Sequence, residues 1–141
     1  MNESQLWSKL EKALPNADMT RHEDRTRRFI PDVSFALDGV DGWIELKAYD
    51  AWPSDNIPKF RNFTPGQRNW LRRRGEAGSG HCFVLAAVER DLFLFGWWSV
   101  EGLGIWRRGT MIRESLWYTR SGKMDSELKA AILTKRDSVP F

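Results

Sequence analysis

Apolar and polar positions follow two different periods along this chain. Leu6, Leu10 and Leu14 are four residues apart, the spacing of one helix face, and they predict a first helix over residues 3–14. Residues 18–28 are mostly polar, and their pattern does not decide between a short strand and a loop. The chain is therefore predicted to begin with a helix, followed by a polar segment.

The most informative pattern is an alternation of apolar and polar residues over 29–49, on either side of Asp38-Gly39. This dipeptide is typical of two-residue turns between antiparallel strands, so the segment predicts a β-hairpin. Extending the register outward from the turn pairs Val33 with Ile44. The apolar face of the hairpin then consists of Val33, Phe35, Leu37, Val40, Ile44 and Leu46.

Three further elements are predicted in the middle of the chain. Thr64 and Gln67 have the spacing of a capping box, which predicts a second helix over 64–75. Apolar runs at 82–88 and 92–98 predict two more strands. After them, Asp125 or Ser126 can cap a final helix that runs to about residue 135.

The second face of the predicted hairpin carries charged residues. Asp32 is expected opposite Glu45, with Cβ atoms about 5 Å apart, and Lys47 projects from the same face about 7 Å further along. A three-residue loop without a bulge would break this arrangement. Close carboxylates repel each other unless a cation or proton neutralises them. A hard divalent metal such as Mg²⁺ would do so, and a surface trio bridged by Lys47 is the alternative.

Composition limits the class of protein. The chain has 141 residues, 41% hydrophobic and 29% charged, which fits one domain and excludes intrinsic disorder. Cys82 is the only cysteine, so an intrachain disulfide and a cysteine-based zinc cluster are excluded. No apolar stretch approaches the roughly 20 residues that cross a membrane, and the N-terminus lacks an apolar signal core. We therefore expect a cytoplasmic protein with no membrane partner.

The net charge of +3 is modest, but the basic residues are concentrated in two segments, 21–28 and 59–74. The second segment contains no acidic residue. Such a local basic surface suits nucleic acid, and solvated helix faces are the equally weighted alternative. The residues concerned are Lys59, Arg61, Arg68, Arg72, Arg73 and Arg74 in the second segment, and Arg21, Arg25, Arg27 and Arg28 in the first.

The charged residues of the hairpin also form a known motif. Pro31-Asp32, twelve intervening residues and then Glu45-Leu46-Lys47 resembles the signature of the PD-(D/E)-x-K nuclease superfamily. The chain looks closest to the small Holliday junction resolvase-like and virus-type (VRR-NUC-like) branches, although these often have glycine where Ile30 precedes the Pro-Asp pair.

The resemblance implies a fold. It is an α/β restriction-endonuclease-like core, a mixed sheet of four to five strands flanked by helices in the order α-β-β-β-α-β. One nuclease domain would then span 1–141, with the core at about 3–98 and a C-terminal extension at about 99–141. The extension could form a homodimer interface or a lid on a DNA cleft, and the sequence leaves both open.

The resemblance also implies a site. Asp32, Glu45 and the Leu46 carbonyl would bind Mg²⁺, with Mn²⁺ able to substitute, and Lys47 would position or help deprotonate the attacking water. In related nucleases, a glutamine of the second helix and a glutamate of the first helix often join the site. The matching residues here are Gln67 and Glu11, for which a capping box and an exposed surface charge are the respective alternatives.

The expected function is hydrolysis of DNA phosphodiester bonds by a metal-dependent endonuclease, and the resemblance to resolvase-like nucleases suggests selectivity for branched DNA. The basic side chains expected to bind DNA are Arg68, Arg72, Arg73, Lys59, Arg61 and Arg28. A non-catalytic nucleic-acid-binding protein with a nuclease-like fold is the alternative. The expected location is the cytoplasm, or the host cytoplasm if the protein is viral.

Overall fold

Six strands lie side by side in sequence order in one mixed sheet. The computed structural model describes residues 1–23 and 29–134. The protein is therefore α/β, as predicted, but its sheet has six strands rather than four to five. In chain order the elements are α1 (Glu3–Ala13), β1 (Asp18–Arg21), β2 (Val33–Leu37), β3 (Val40–Tyr49), α2 (Pro65–Ala77), β4 (Cys82–Val88), β5 (Asp91–Gly96), a 3₁₀ turn (Trp97–Ser99), α3 (Arg108–Glu114), β6 (Trp117–Thr119) and α4 (Ser126–Ile132).

Helix α1 begins at a capping box formed by Asn2 and Gln5. The Gln5 backbone N–H donates to Asn2 Oδ1, and the Asn2 N–H donates back to Gln5 Oε1, both at 2.8 Å. Leu6 and Leu10 are completely buried against one face of the sheet, together with Leu46 of β3. We call this the α1 face of the sheet. The first predicted helix is confirmed to within one residue of its C-terminal end.

The β2–β3 hairpin has the register that its turn predicts. Val33 pairs with Ile44, and Leu37 pairs with Val40. Asp38 and Gly39 both have positive φ, 50° and 81°, as a type I′ turn requires. The polar segment before the hairpin supplies β1, which pairs antiparallel with β2 and completes a three-stranded meander.

The connection from β3 to β4 passes through α2, and β3 and β4 are parallel. Both bonds of the predicted Thr64–Gln67 capping box are present at the start of α2. Leu71 of this helix packs on the opposite face of the sheet from α1. We call this the α2 face, and because side chains alternate along β3, Glu45 and Lys47 belong to it.

Residues beyond the 3₁₀ turn extend the same sheet. Leu94 of β5 pairs with Trp117 of β6, while Leu128 and Ile132 of α4 are buried on the α1 face. The strand predicted over 92–98 ends at Gly96, and the final helix ends at Ile132 rather than near 135. Among the described residues, no helix is both long and apolar enough to cross a membrane.

Candidate functional site

Asp32 and Glu45 face each other at the open end of the hairpin. Asp32 directly precedes β2, and Glu45 follows Ile44, the partner of Val33. The Asp32 backbone N–H donates to Glu45 Oε1 at 3.2 Å, and the Leu46 N–H donates to Asp32 Oδ2 at 2.8 Å. Each carboxylate therefore accepts a hydrogen bond from the backbone of the facing segment, which holds the two side chains together.

The Leu46 carbonyl lies on the same side of β3 as these carboxylates. In an extended strand the N–H and C=O of one residue point to the same side, and the Leu46 N–H points to Asp32. Strand β2 begins at Val33, so among the described residues of β2 none lies opposite Leu46. The site therefore offers two carboxylates and one backbone carbonyl as oxygen donors.

Lys47 is held beside Glu45 by a loop that follows β3. Its Nζ donates to the Asn62 carbonyl at 3.0 Å and lies 3.8 Å from Glu45 Oε2. It also lies 5.4 Å from the centre of the Phe63 ring. Glu45 is 2% exposed and Lys47 is 4% exposed. This burial excludes the solvated surface trio that the sequence had left open.

Burial also changes the acidity of Glu45. Removal from water raises the pKa of Glu45 well above its ordinary value, and hydrogen bonding and repulsion from Asp32 raise it further. The positive charge of Lys47 lowers the pKa again, with a smaller effect. Proton uptake therefore relieves the repulsion between the carboxylates in the metal-free protein, and a divalent cation can replace that proton.

Tyr49 extends the support around Lys47. Its hydroxyl donates to Asn62 Oδ1 at 2.6 Å, and its ring packs edge-on against Phe60. The same Asn62 thus accepts from Tyr49 through its side chain and from Lys47 through its backbone. This support was missed in the sequence because Asn62 lies in an irregular loop with no periodic pattern.

The predicted first-helix residue, Glu11, is exposed on α1. Glu3, at the start of the same helix, is partly buried and lies within electrostatic range of Tyr49. Burial is the main cause of the raised pKa of Tyr49, and the negative charge of Glu3 is the next. The sequence feature that could have identified Glu3 is its spacing. Glu3 stands three residues before Leu6, on the same helix face as the buried leucines.

Gln67 performs the capping role that its spacing predicts. Its Oε1 accepts from the Thr64 backbone N–H at 3.0 Å, and its own N–H donates to Thr64 Oγ1 at 3.2 Å. The side-chain amide nitrogen takes no part in this box. A contact between Gln67 and substrate stays a prediction. Such a contact would use the side-chain amide nitrogen.

Tertiary contacts give the basic residues of segment 59–74 different surroundings from one another. The Arg68 guanidinium turns inward and donates to three backbone carbonyls, those of Phe63, Val100 and Leu103. It also stacks 4.4 Å from the Phe63 ring centre. These contacts give Arg68 a structural role that the sequence did not predict, and a phosphate contact of Arg68 stays a prediction.

The other basic residues of this segment lie nearer the surface. Arg72 pairs with Glu101, and Lys59 pairs with Asp55 at 2.9 Å. Arg61 and Arg73 are exposed. Arg28 lies outside the described residues.

No protein-family model matches this sequence, and no curated protein matches it. The function is therefore inferred from the site itself.

The donor set fits a hard cation. Carboxylate and carbonyl oxygens are the ligands that Mg²⁺ prefers, and this ion usually keeps several waters. Within residues 1–23 and 29–134, no three His, Cys, Asp or Glu side chains converge as a metal cluster. The pair with the Leu46 carbonyl therefore suits a cation that completes its shell with water and substrate oxygens, and not one that needs four protein ligands.

Proposed function

We propose that this protein is a Mg²⁺-dependent nuclease that hydrolyses phosphodiester bonds in DNA. One observation carries the proposal: Glu45 is buried facing Asp32, with the Lys47 ammonium 3.8 Å from it. Burying an acid against a second acid destabilises a fold unless a proton or cation neutralises the pair. A phosphodiester is a substrate whose reaction uses both a divalent cation and an adjacent ammonium.

The proposed roles follow from the contacts of each residue. Asp32, Glu45 and the Leu46 carbonyl would hold Mg²⁺. When bound, Mg²⁺ supplies charge neutralisation at a phosphoryl oxygen and lowers the pKa of a coordinated water. Lys47 would orient the attacking water and stabilise the negative charge that develops on the phosphate. Its hydrogen bond to the Asn62 carbonyl fixes the ammonium before substrate arrives.

DNA would approach over the exposed basic residues near α2. Arg61 and Arg73 are exposed, so they can contact phosphates directly. Lys59 and Arg72 would first have to exchange their carboxylate partners for phosphates. Arg68 would support this surface from within the fold, because its guanidinium N–H groups donate to backbone carbonyls.

The experiment is incubation with labelled DNA in Mg²⁺, Mn²⁺ or EDTA, with linear duplex, flapped, four-way and single-stranded substrates. We expect cleavage with either metal and none in EDTA. Asp32→Asn should abolish cleavage, whereas Asp38→Asn, a matched change in the exposed turn of the same hairpin, should not. Binding without cleavage in the wild type would favour the alternative, a non-catalytic nucleic-acid-binding protein.

A further inference from the structure

A cavity of about 400 Å³ opens at one end of the sheet, among residues of β1, β2, β3, α2 and the segment that leads into β4. Ser34 and Trp43 line it, and they are cross-strand partners. They stand two residues along their strands from Asp32 and Glu45, on the same face and therefore about 7 Å away. The cavity therefore begins about 7 Å from the candidate catalytic site, with Ser34 and Trp43 on the side that faces it.

Trp43 and Arg74 line one side of this cavity, and neighbouring rings pack against them. The Trp43 ring lies 5.4 Å from His22 and 5.1 Å from Trp70, measured between ring centres. The Arg74 guanidinium stands 4.7 Å from the Trp70 ring and 5.7 Å from the Trp43 ring. Trp43 and Trp70 are only partly buried. A ring such as that of Trp43 can stack on a nucleobase, with Arg74 adding a cation–π contribution.

The polar groups of the cavity suit a base rather than a phosphate. Asp18 and Asp41 are both exposed and both line the opening, so they repel a phosphate there. Their carboxylates can accept hydrogen bonds from the amino groups of bases. The hydroxyls of Thr20 and Ser34 add donors and acceptors, and Ser34 Oγ already lies 2.8 Å from His22 Nε2.

We propose that this cavity holds an unpaired nucleobase next to the phosphate that is cleaved. The preferred substrate would then contain a single-stranded segment, because a duplex keeps its bases stacked and must unstack one to fill the cavity. This inference rests on the proposed nuclease function, since it assigns the cavity to the same substrate strand.

The test measures binding in EDTA, where no cleavage complicates the result. A labelled single-stranded oligonucleotide, its duplex, and a series with one abasic nucleotide at each position are titrated by fluorescence anisotropy. We expect the single strand to bind more tightly than the duplex. One abasic position should lower affinity by about tenfold, the effect of losing one stacked base.

Two variants connect that loss to the cavity. Arg74→Gln, which changes an exposed residue, and Trp43→Phe should each weaken single-strand binding. In either variant, an abasic nucleotide at the sensitive position should then cause little further loss of affinity. The matched control is Arg73→Gln, which removes the same charge outside the cavity lining and should weaken single-strand and duplex binding equally. If Trp43→Phe does not fold, Arg74→Gln alone decides.

The two proposals fail separately. A protein that cleaves DNA but shows the same affinity at every abasic position would overturn the base cavity and leave the nuclease. Equal effects of Arg74→Gln and Arg73→Gln on single strand and duplex would also overturn the cavity. A sensitive abasic position that disappears in Arg74→Gln, together with no cleavage in Mg²⁺ or Mn²⁺, would support base binding and overturn the nuclease.

Discussion

The backbone N–H of Leu46 donates to Asp32 Oδ2 at 2.8 Å, across the open end of the hairpin. This bond fixes the carboxyl group of Asp32 toward Glu45 without any help from a metal. It occupies one carboxylate oxygen, and the other stays available as a ligand. The protein thus holds two acids together through its own backbone, at a distance where they repel when both are ionised.

Replacing Asp32 with a neutral residue should distinguish a metal site from a structural ion pair. Asparagine keeps an oxygen for the Leu46 N–H, so Asp32→Asn in EDTA should melt at the wild-type temperature or higher, because repulsion with Glu45 is relieved. Millimolar Mg²⁺ should raise the melting temperature of the wild type by mass action and that of the variant much less. The measurement is thermal unfolding of both proteins with and without Mg²⁺.

Asp32→Ala serves as the comparison, since it also removes the acceptor for Leu46 and should lose about 1 kcal/mol. A lower melting temperature for Asp32→Asn in EDTA, with no Mg²⁺ response in either protein, would contradict the metal site.

The raised pKa of Glu45 predicts how stability depends on pH. The unfolded state loses this proton first, near the ordinary value of 4.5, while the folded state retains it. The stability that the protonated Glu45 contributes to the folded state is therefore fully present below pH 4.5, and it is lost as the pH rises through the folded pKa. The free energy of unfolding of metal-free wild type, minus that of Glu45→Gln, should fall over this window. Urea titrations at several pH values measure it.

Mg²⁺ should bind more tightly as pH rises through the same window, because the cation displaces the Glu45 proton. Calorimetric titrations in two buffers of different ionisation enthalpy would report the released proton. Glu76→Gln, a change at an exposed carboxylate, should keep the wild-type pH dependence. A Mg²⁺ affinity that does not change with pH would mean that Glu45 is already ionised.

Lys47 should be needed for catalysis and not for metal binding. Lys47→Met removes the ammonium that lies beside Glu45 while keeping a long apolar stem against Phe63. We expect cleavage to be lost and the Mg²⁺-induced rise in melting temperature to remain. Lys129→Met, which breaks only an exposed pair with Asp38, is the control and should retain cleavage. Loss of the Mg²⁺ response in Lys47→Met would instead assign Lys47 to the metal site.

The basic residues should divide into two groups by salt dependence. Arg61→Gln and Arg73→Gln should each reduce the slope of log affinity against log salt for duplex DNA by about 0.9 per phosphate contact. Their melting temperatures should stay unchanged, because both side chains are exposed. Anisotropy titrations at several salt concentrations test this. Arg113→Gln, an exposed residue of α3, should leave the slope unaltered.

Arg68→Gln should behave in the opposite way. It loses the hydrogen bonds to the carbonyls of Phe63, Val100 and Leu103, so the free energy of unfolding should fall by about 3 kcal/mol. Chemical denaturation measures this loss. A normal stability with a reduced salt slope would show that Arg68 contacts phosphate after all.

Local rules determined the hairpin and the two helices that begin at capping boxes, α1 and α2. Asp38 and Gly39 accept positive φ, so the turn that joins β2 to β3 is set by two neighbouring residues. A side-chain period of two then determines which residues share a face, and this was enough to bring Asp32 opposite Glu45. The sequence also determined where α2 begins, because a capping box needs only residues three positions apart.

Only the tertiary structure decided what those side chains contact. Arg68 turns inward because the carbonyls of Val100 and Leu103, more than thirty positions away, lie above its helix. Arg72 meets Glu101 for the same reason, so a segment without acids in sequence acquires one in space.

The burial of Lys47 likewise depends on a distant part of the chain, the loop that brings Asn62 over β3. β6 forms a sixth strand although it is only three residues long, because β5 supplies its hydrogen-bonding partners. The periodicity of apolar residues indicates which face of a helix or strand is buried. It carries no information on groups that folding brings in from elsewhere, and those groups set the burial and the charge of this site.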